Sequence, residues 1–203
     1  MSLVTESQAA RPETDVDVEV LFREHAEVFE DSRKHLSEGI AEGARLIVES
    51  LSSGGTIFWC GNGGSAADSQ HLAAELVGRF KKNRHPLRSV ALTTDSSTLT
   101  CIANDFGYEH VFERQVEGLG RPGDVLVAIS TSGQSENIRL AVQKANAMGM
   151  TTIALLGKSG GNCQGLADVE LIVPSDTTAR IQEVHIFIGH TLCELAEIGL
   201  GLA

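Results

Sequence analysis

The chain lacks the marks of nucleic-acid-binding, membrane-spanning and disulfide-stabilised proteins. Its 16 Lys and Arg residues stand against 27 Asp and Glu residues, a formal net charge of −11, whereas nucleic-acid phosphates are bound by clustered basic side chains. No apolar run approaches the ~18 residues that cross a bilayer, and no basic segment followed by an apolar one begins the sequence. The four cysteines have no CxxC spacing, which is typical of free thiols in a reducing compartment. We therefore expect a soluble, cytoplasmic protein without nucleic-acid or membrane partners.

The common nucleotide-binding motifs are missing as well. No GxxxxGK[ST] segment occurs, and the most glycine-rich turn does not have the GxGxxG spacing. We therefore expect no nucleotide cofactor. The length of 203 residues suits one domain with a substantial core, and the sequence contains no internal repeat.

Five short apolar runs lie between residues 56 and 173, and helical patterns separate them. Buried strands of a parallel sheet have such continuous apolar runs, and alternating strands and helices predict a sheet with helices on both faces. The predicted fold is thus α/β, a three-layer sandwich with a five-stranded, flavodoxin-like parallel sheet. Such sheets bind ligands at the carboxyl ends of the strands. The predicted strands are 56–60, 89–92, 125–129, 152–155 and 169–173, and the predicted helices between them are 66–80, a short piece within 96–103, and 135–148.

Helical patterns also precede and follow the predicted sheet. Residues 1–15 are polar, carry Pro12 and predict a flexible N-terminus, while residues 16–53 contain two apolar runs with helical spacing. The last predicted helix, about 177–200, is apolar on more than one face, which indicates burial against another subunit. We expect residues 16–203 to form one domain with an extension of N-terminal helices, and we expect a homo-oligomer.

The most informative segment is CGNGGS at 60–65, a glycine-rich turn between a predicted strand and a predicted helix. Bare backbone N–H groups at a helix N-terminus point at anions, so this segment predicts an anion pocket. His71 and Glu75 follow four residues apart and share one face of the helix. They offer an imidazole and a carboxylate near the pocket. An ordinary surface pair is the alternative, and it would be preferred if the glycine turn were absent.

A second turn, STSGQS at 130–135, also lies between a predicted strand and a predicted helix. Its four hydroxyls, Gly133 and the helix N-terminus predict a pocket for phosphate oxygens. The alternative is that the hydroxyls only cap the helix, as Ser and Thr commonly do. A cap needs one hydroxyl, so four of them beside a glycine favour the phosphate interpretation.

These segments resemble the sugar-isomerase (SIS) domain, and more closely the bacterial phosphoheptose isomerases, also called sedoheptulose-7-phosphate isomerases. The resemblance extends from about residue 55 to residue 195. It implies an enzyme that converts D-sedoheptulose 7-phosphate to D-glycero-D-manno-heptose 7-phosphate through an enediol. That reaction begins the synthesis of ADP- or GDP-heptose for lipopolysaccharide core or other surface glycans. The matching segments are CGNGGS at 60–65, HLAAELVGRF at 71–80, ANDFG at 103–107, ISTSGQS at 129–135 and ARIQEVH at 179–185.

The resemblance also implies roles for particular residues and a homotetramer with active sites between subunits. Glu75 is implied as the catalytic base and His190 as its acid partner, and a carboxylate with an imidazole suits the proton transfers of aldose–ketose isomerisation. The implied ligands of one zinc ion per subunit are His71, Glu75, Gln182 and His190. The implied substrate contacts are Asn62, Gly63, Gly64, Ser65, Glu75, Asn104, Asp105, Ser130, Thr131, Ser132, Ser135 and Gln182.

Two alternatives to this function remain open. Non-catalytic SIS proteins that associate with a replication initiator share the scaffold, but their pattern lacks the counterparts of Glu75 and His190, which this sequence keeps. A different phosphosugar is the other alternative, because a phosphate pocket does not determine the number of carbon atoms in the sugar. Gln134 departs from relatives that often have Asn there, with little expected effect. Without the resemblance, His190 would be read as a buried structural histidine and Asp105 as a turn residue.

Overall fold

The computed structural model describes residues 17–203, and the segment 1–15, predicted to be flexible, lies outside them. Its five strands form one parallel sheet in the order β2-β1-β3-β4-β5. The predicted strands are confirmed to within two residues at each end. The strands are β1 Ile57–Gly61, β2 Ser89–Ala91, β3 Val125–Ser130, β4 Thr151–Gly157 and β5 Val169–Val173.

Six α-helices surround the sheet within the described residues. An aspartate side chain caps the N-terminus of two of these helices. Asp17 accepts a hydrogen bond from the N–H of Glu19, and Asp95 accepts one from the N–H of Thr98. Such N-caps satisfy backbone donors that the helix leaves unpaired. Between residues 17 and 203, no helix is long and apolar enough to cross a membrane. The helices are α1 Val18–Ser52, α2 Gly64–Val77, α3 Ser96–Phe106, α4 Glu113–Leu119, α5 Glu136–Ala147 and α6 Thr178–Gly199.

The two apolar runs of the N-terminal segment form one continuous helix, α1, rather than the separate helices that the pattern predicts. The polar residues 30–35 between the runs include no glycine or proline that would break the helix. The buried side chains of α1 include Leu36, Ile40, Ala44 and Ile47. Their three- and four-residue spacing places them on one face, and this face packs on α6 and the sheet.

The sheet is the middle layer of a three-layer sandwich, as predicted. Ile57 and Trp59 of β1 pack in one core with α1, α2 and α6. Phe58 and Cys60 pack in the opposite core with α3, α4 and α5. All four are buried, because successive side chains of a strand point to opposite faces and both faces are covered.

From β1 the chain first adds β2 on one side of the sheet and then adds β3, β4 and β5 on the other side, so the order of the strands changes direction between the neighbours β1 and β3. Such a reversal opens a crevice at the carboxyl ends of the two strands. The first glycine turn follows β1 and the hydroxyl-rich turn follows β3. The amides of Asn62 and Asn137 donate to each other's oxygens at 2.9 Å in both directions. The two turns predicted from the sequence therefore flank one crevice, and the first turn is bonded to the start of α5, which follows the second turn.

Candidate active site

The first turn brings helix α6 against the start of helix α2. Gly63 occupies the N-cap of α2, and Gly64 is its first residue. A Cβ atom built on Gly64 would lie 2.4 Å from Nε2 of Gln182 on α6. A side chain at Gly64 would therefore displace the Gln182 amide, and glycine there permits the contact.

Helices α2 and α6 together form a cluster of two imidazoles and a carboxylate. His71 Nε2 lies 2.8 Å from His190 Nε2 and 3.4 Å from Glu75 Oε1, so the predicted shared face of His71 and Glu75 is confirmed. A Cβ atom on Gly189 would lie 2.3 Å from Leu72 Cδ1. The absence of a side chain at Gly189 lets α6 approach α2 closely at the residue next to His190.

Asp68 is a further acidic group beside this cluster, and the sequence patterns did not single it out. Burial raises the pKa of the Asp68 carboxyl, and the nearby imidazoles of His71 and His190 oppose that rise. Asp68 lies three residues before His71 on α2, a spacing that places both side chains on one helix face. A single aspartate within a predicted helix does not by itself indicate a functional residue, so the sequence could not identify Asp68.

The donor atoms of the cluster fit a zinc ion. His71, Glu75 and His190 each offer one ligand atom, and these three atoms all lie within 4.8 Å of one another. Two imidazole nitrogens and a carboxylate oxygen are a ligand set of catalytic zinc sites. Tetrahedral ligands about 2.0–2.1 Å from an ion lie roughly 3.3 Å apart, close to the spacings of 2.8 and 3.4 Å between the side chains here.

The second turn is braced by its own hydroxyls. Ser130 Oγ accepts a hydrogen bond from the N–H of Gly133 at 3.1 Å, and Ser132 Oγ accepts one from the N–H of Gln134 at 3.2 Å. Ser135 occupies the N-cap of α5, but among the described residues its side chain makes no capping hydrogen bond. Its Oγ instead lies 3.3 Å from Ser130 Oγ. Helix capping therefore does not explain the hydroxyls, and Ser135 is positioned at the helix N-terminus without serving the helix.

Gly133 is the residue on which the shape of this turn depends. Its φ of +64° lies in the left-handed region, which residues with a Cβ atom rarely adopt. A Cβ atom there would lie 1.9 Å from the carbonyl oxygen of Gly160. The Gly133 carbonyl accepts a hydrogen bond from the N–H of Cys163 at 3.0 Å, so the segment after β4 supports the turn from behind.

Asn104 and Asp105 lie in the last turn of α3, not in the plain turn that is the alternative interpretation of Asp105. Both side chains are exposed, and Asn104 Nδ2 donates to Asp105 Oδ1 at 2.7 Å. Tyr108, just after the helix, donates its hydroxyl to Asn62 Oδ1 at 3.1 Å. The end of α3 is thereby bonded to the first turn.

The sequence patterns missed two residues that hold the crevice together. Asn137 is buried within the first turn of α5 and pairs with Asn62. Tyr108, the only tyrosine in the sequence, reaches the same Asn62 side chain. A buried asparagine near a helix start usually has a partner, but its partner is 75 residues away and no local spacing reveals it.

Comparison with known proteins agrees with this fold. A family model described as the SIS domain matches residues 21–157. A phosphoheptose isomerase of Akkermansia muciniphila is 56% identical over 158 residues, which are 78% of this chain and 84% of that relative.

Two solved structures are also similar. The phosphoheptose isomerase of Neisseria gonorrhoeae is 47% identical with a TM-score of 0.84, covering 89% of this chain and 97% of its own. That of Francisella tularensis is 39% identical with a TM-score of 0.86, covering 89% and 96%. The chain belongs to the phosphoheptose isomerase family of SIS-domain proteins.

Proposed function

We propose that Glu75 and His190 carry the proton transfers of this enzyme, an aldose–ketose isomerase whose substrate is D-sedoheptulose 7-phosphate. The product is D-glycero-D-manno-heptose 7-phosphate, which would supply heptose for lipopolysaccharide core or another surface glycan. The observation that carries the proposal is the cluster on α2 and α6, in which His71 joins Glu75 and His190 through contacts of 3.4 and 2.8 Å.

The reaction needs a base at carbon and an acid–base group at oxygen. In this mechanism the Glu75 carboxylate removes a proton from C1 of the ketose, and the Glu75 carboxyl that results returns that proton to C2 of the enediol. His190 gives a proton to the oxygen on C2 and accepts the proton that leaves the oxygen on C1, so the protons balance. An imidazole suits this exchange because it titrates near neutral pH.

The phosphate would bind at the hydroxyl-rich turn. Ser130, Thr131, Ser132 and Ser135 are proposed as its ligands, together with backbone N–H groups at the start of α5. The absence of a capping bond from Ser135 supports this role, and the N-terminal end of a helix favours an anion. Local donors would thus bind the phosphate although the chain carries a net charge of −11.

The first turn and the end of α3 would bind the sugar chain. The proposed contacts are Asn62, Gly63, Gly64, Ser65, Asn104, Asp105 and Gln182. The bond from Tyr108 to Asn62 holds these two segments in a fixed relation, and the bond from Asn137 joins the first turn to α5. This preorganisation would lower the cost of ordering the site when substrate binds.

A zinc ion held by His71, Glu75, Gln182 and His190 would act as a Lewis acid on the substrate oxygens. Gln182 is included among the ligands from the resemblance alone, and its contact with Gly64 places its amide at the first turn, where it would meet the sugar. Glu75 serves better as a free base than as a tight ligand, so a weakly held or partly occupied ion is proposed.

Turnover of sedoheptulose 7-phosphate by the purified protein tests this function. We expect heptose 7-phosphate from the wild type and a loss of about 10²-fold or more in Glu75→Gln. Activity should fall when metal is stripped and return when zinc is restored. A folded Glu75→Gln protein with wild-type turnover would refute the role of Glu75. Neither the initiator-binding module nor a different phosphosugar has an observation of its own in its favour.

We also propose a cytoplasmic homotetramer with active sites between subunits. An apolar groove between α1 and α6 is lined by residues including Phe29, Phe187 and Thr191, and Phe187 is 45% exposed. Thr191 is adjacent to His190, so a partner seated in the groove would reach the edge of the cluster. Sedimentation of the purified protein measures the assembly, and a monomer at micromolar concentration would contradict it.

The two residues proposed for proton transfer, however, already lie together within one chain. Glu75 and His190 join His71 in a single chain, so a shared site would not take these two residues from different subunits. We therefore expect mixed assemblies of Glu75→Gln and His190→Ala chains to stay inactive, because each site lacks one group. Recovered activity in verified mixed oligomers would show that the cluster is formed between chains.

A further inference from the structure

A buried ion pair lies at the far end of the helices that carry the acid–base cluster. Arg84 Nε lies 2.9 Å from Glu197 Oε1, and the two side chains are 2% and 1% exposed. Arg84 belongs to the segment between α2 and β2, and Glu197 lies in the last turns of α6. Charged side chains are rarely buried so completely unless they are paired.

The Arg84 guanidinium is bonded to the end of α2. It donates to the carbonyl oxygens of Glu75 at 2.9 Å and Leu76 at 2.7 Å, and more weakly to that of Gly78 at 3.3 Å. The last carbonyls of a helix have no partner within it, and a cation there complements the helix dipole. Arg84 therefore fixes the turn that carries the proposed base.

The Glu197 carboxylate is bonded to the segment that covers His190. It accepts hydrogen bonds from the N–H groups of Phe80 at 3.0 Å and Lys81 at 3.1 Å. The Phe80 ring lies against the His190 imidazole, with 5.5 Å between centroids. Glu197 also follows His190 by seven residues, two helical turns, and so shares its face of α6.

Stability alone is a weak explanation for such a pair. The cost of removing two charges from water often equals or exceeds their attraction, so apolar residues of similar volume can serve folding as well. The pair of charges does supply directional bonds, which apolar side chains cannot. These bonds join the backbone of Glu75 to the helix that carries His190.

We propose that Arg84 and Glu197 are positioning residues, which hold the Glu75 carboxylate and the His190 imidazole in their reacting geometry by tying the end of α2 to α6. The proposal rests on the proposed roles of Glu75 and His190. It assigns the ion pair a part in catalysis without contact with the substrate.

Arg84→Lys and Glu197→Gln test the proposal, with Glu194→Gln as the matched control. Glu194 pairs with Lys81 at 2.6 Å between the same two segments, but that pair is 41% and 57% exposed. Turnover is measured at a temperature where circular dichroism shows every variant folded. We expect kcat to fall about 10- to 100-fold in both test variants, since small misplacements of catalytic groups have effects of this size. KM should stay within about twofold, because the hydroxyl-rich turn is not touched, and the control should match the wild type.

A second measurement does not depend on turnover. NMR spectra of the metal-free protein give the chemical shifts of the Cε1–Hε1 groups of His71 and His190, which report on the surroundings of the two imidazoles. We expect larger shifts in Arg84→Lys and Glu197→Gln than in Glu194→Gln, whose carboxylate lies one helical turn from His190. Folded test variants with wild-type kcat and unshifted imidazole signals would overturn the proposal and leave the pair a purely structural role.

The two measurements separate the proposal from the function on which it rests. A wild type without turnover would refute the isomerase assignment, while the imidazole signals would still decide whether the ion pair positions the cluster. If Arg84→Lys does not fold, the test depends on Glu197→Gln, whose amide keeps one of the two oxygens that accept from the N–H groups of Phe80 and Lys81.

Discussion

Because of the buried His185 on α6, we expect the folded protein to lose stability as the pH falls below neutral. The His185 imidazole is fully buried, and its Nε2 lies 2.8 Å from the carbonyl oxygen of Leu156. A carbonyl only accepts, so Nε2 carries the proton and Nδ1 does not. Nδ1 is buried without a partner among residues 17–203. Burial lowers the pKa of His185 from 6.5 to about 4, against the opposing effect of the Leu156 carbonyl.

The free-energy consequence follows from this difference in pKa. Because the folded protein resists protonation of His185, the unfolded chain binds the proton first as pH falls. The contribution to stability is complete above pH about 6.5 and is lost progressively towards pH about 4. At about 1.4 kcal/mol per pH unit, the loss amounts to about 3 kcal/mol.

Urea unfolding at a series of pH values and constant protein concentration measures this loss. His185→Gln keeps an amide donor for the Leu156 carbonyl but does not titrate. We expect the stability advantage of the wild type over this variant to shrink by about 2–3 kcal/mol between pH 7 and pH 4.5. The control is His35→Gln, a substitution at an exposed histidine of α1. Its stability should change with pH as that of the wild type does. Parallel pH curves for the wild type and His185→Gln would refute the reasoning.

Two glycine substitutions test the turns. Gly133→Ala should destabilise the protein by about 1–3 kcal/mol, because an alanine must take a φ of +64° and a Cβ atom would collide with Gly160. It should also raise KM for the sugar phosphate, and unchanged urea unfolding with unchanged KM would contradict the phosphate pocket. Gly64→Ala should keep its stability, since Gly64 lies in α2 and alanine favours a helix. It should lower kcat about tenfold by displacing the Gln182 amide, and wild-type kcat would argue against a role for Gln182.

The sheet and the paired turns could be predicted because their signals are local. A parallel strand covered on both faces is apolar along most of its length, and β3 and β4 contain such runs at 125–129 and 153–156. The shared face of His71 and Glu75 follows from helix geometry alone, and the contact of 3.4 Å confirms it. The meeting of His71 with His190 needed the resemblance, because 119 residues separate them.

The remaining features depend on contacts that no short window contains. The helix α4 has seven residues, too few for a helical period to stand out. Arg84 lies in a basic run that reads as solvated surface, and its partner Glu197 is 113 residues away. Glu197 and Glu194 both lie within the apolar end of α6, and the local sequence does not indicate which of the two carboxylates is buried. The catalytic and ligand roles of individual residues stay predictions until variants are measured.

The division of the proposed site between two packed helices and an exposed helix end has a consequence for substrate range. The imidazoles and the carboxylate belong to α2 and α6, which meet through Leu72 and Gly189 and are buried along their contact. The groups beyond them, at Asn104 and Asp105, are exposed at a helix end. Changes at that end can lengthen or shorten the space for a ligand while the reacting groups keep their places. The chemistry and the choice of sugar can therefore diverge separately, and a library confined to the end of α3 is where a variant accepting a shorter phosphosugar should be found.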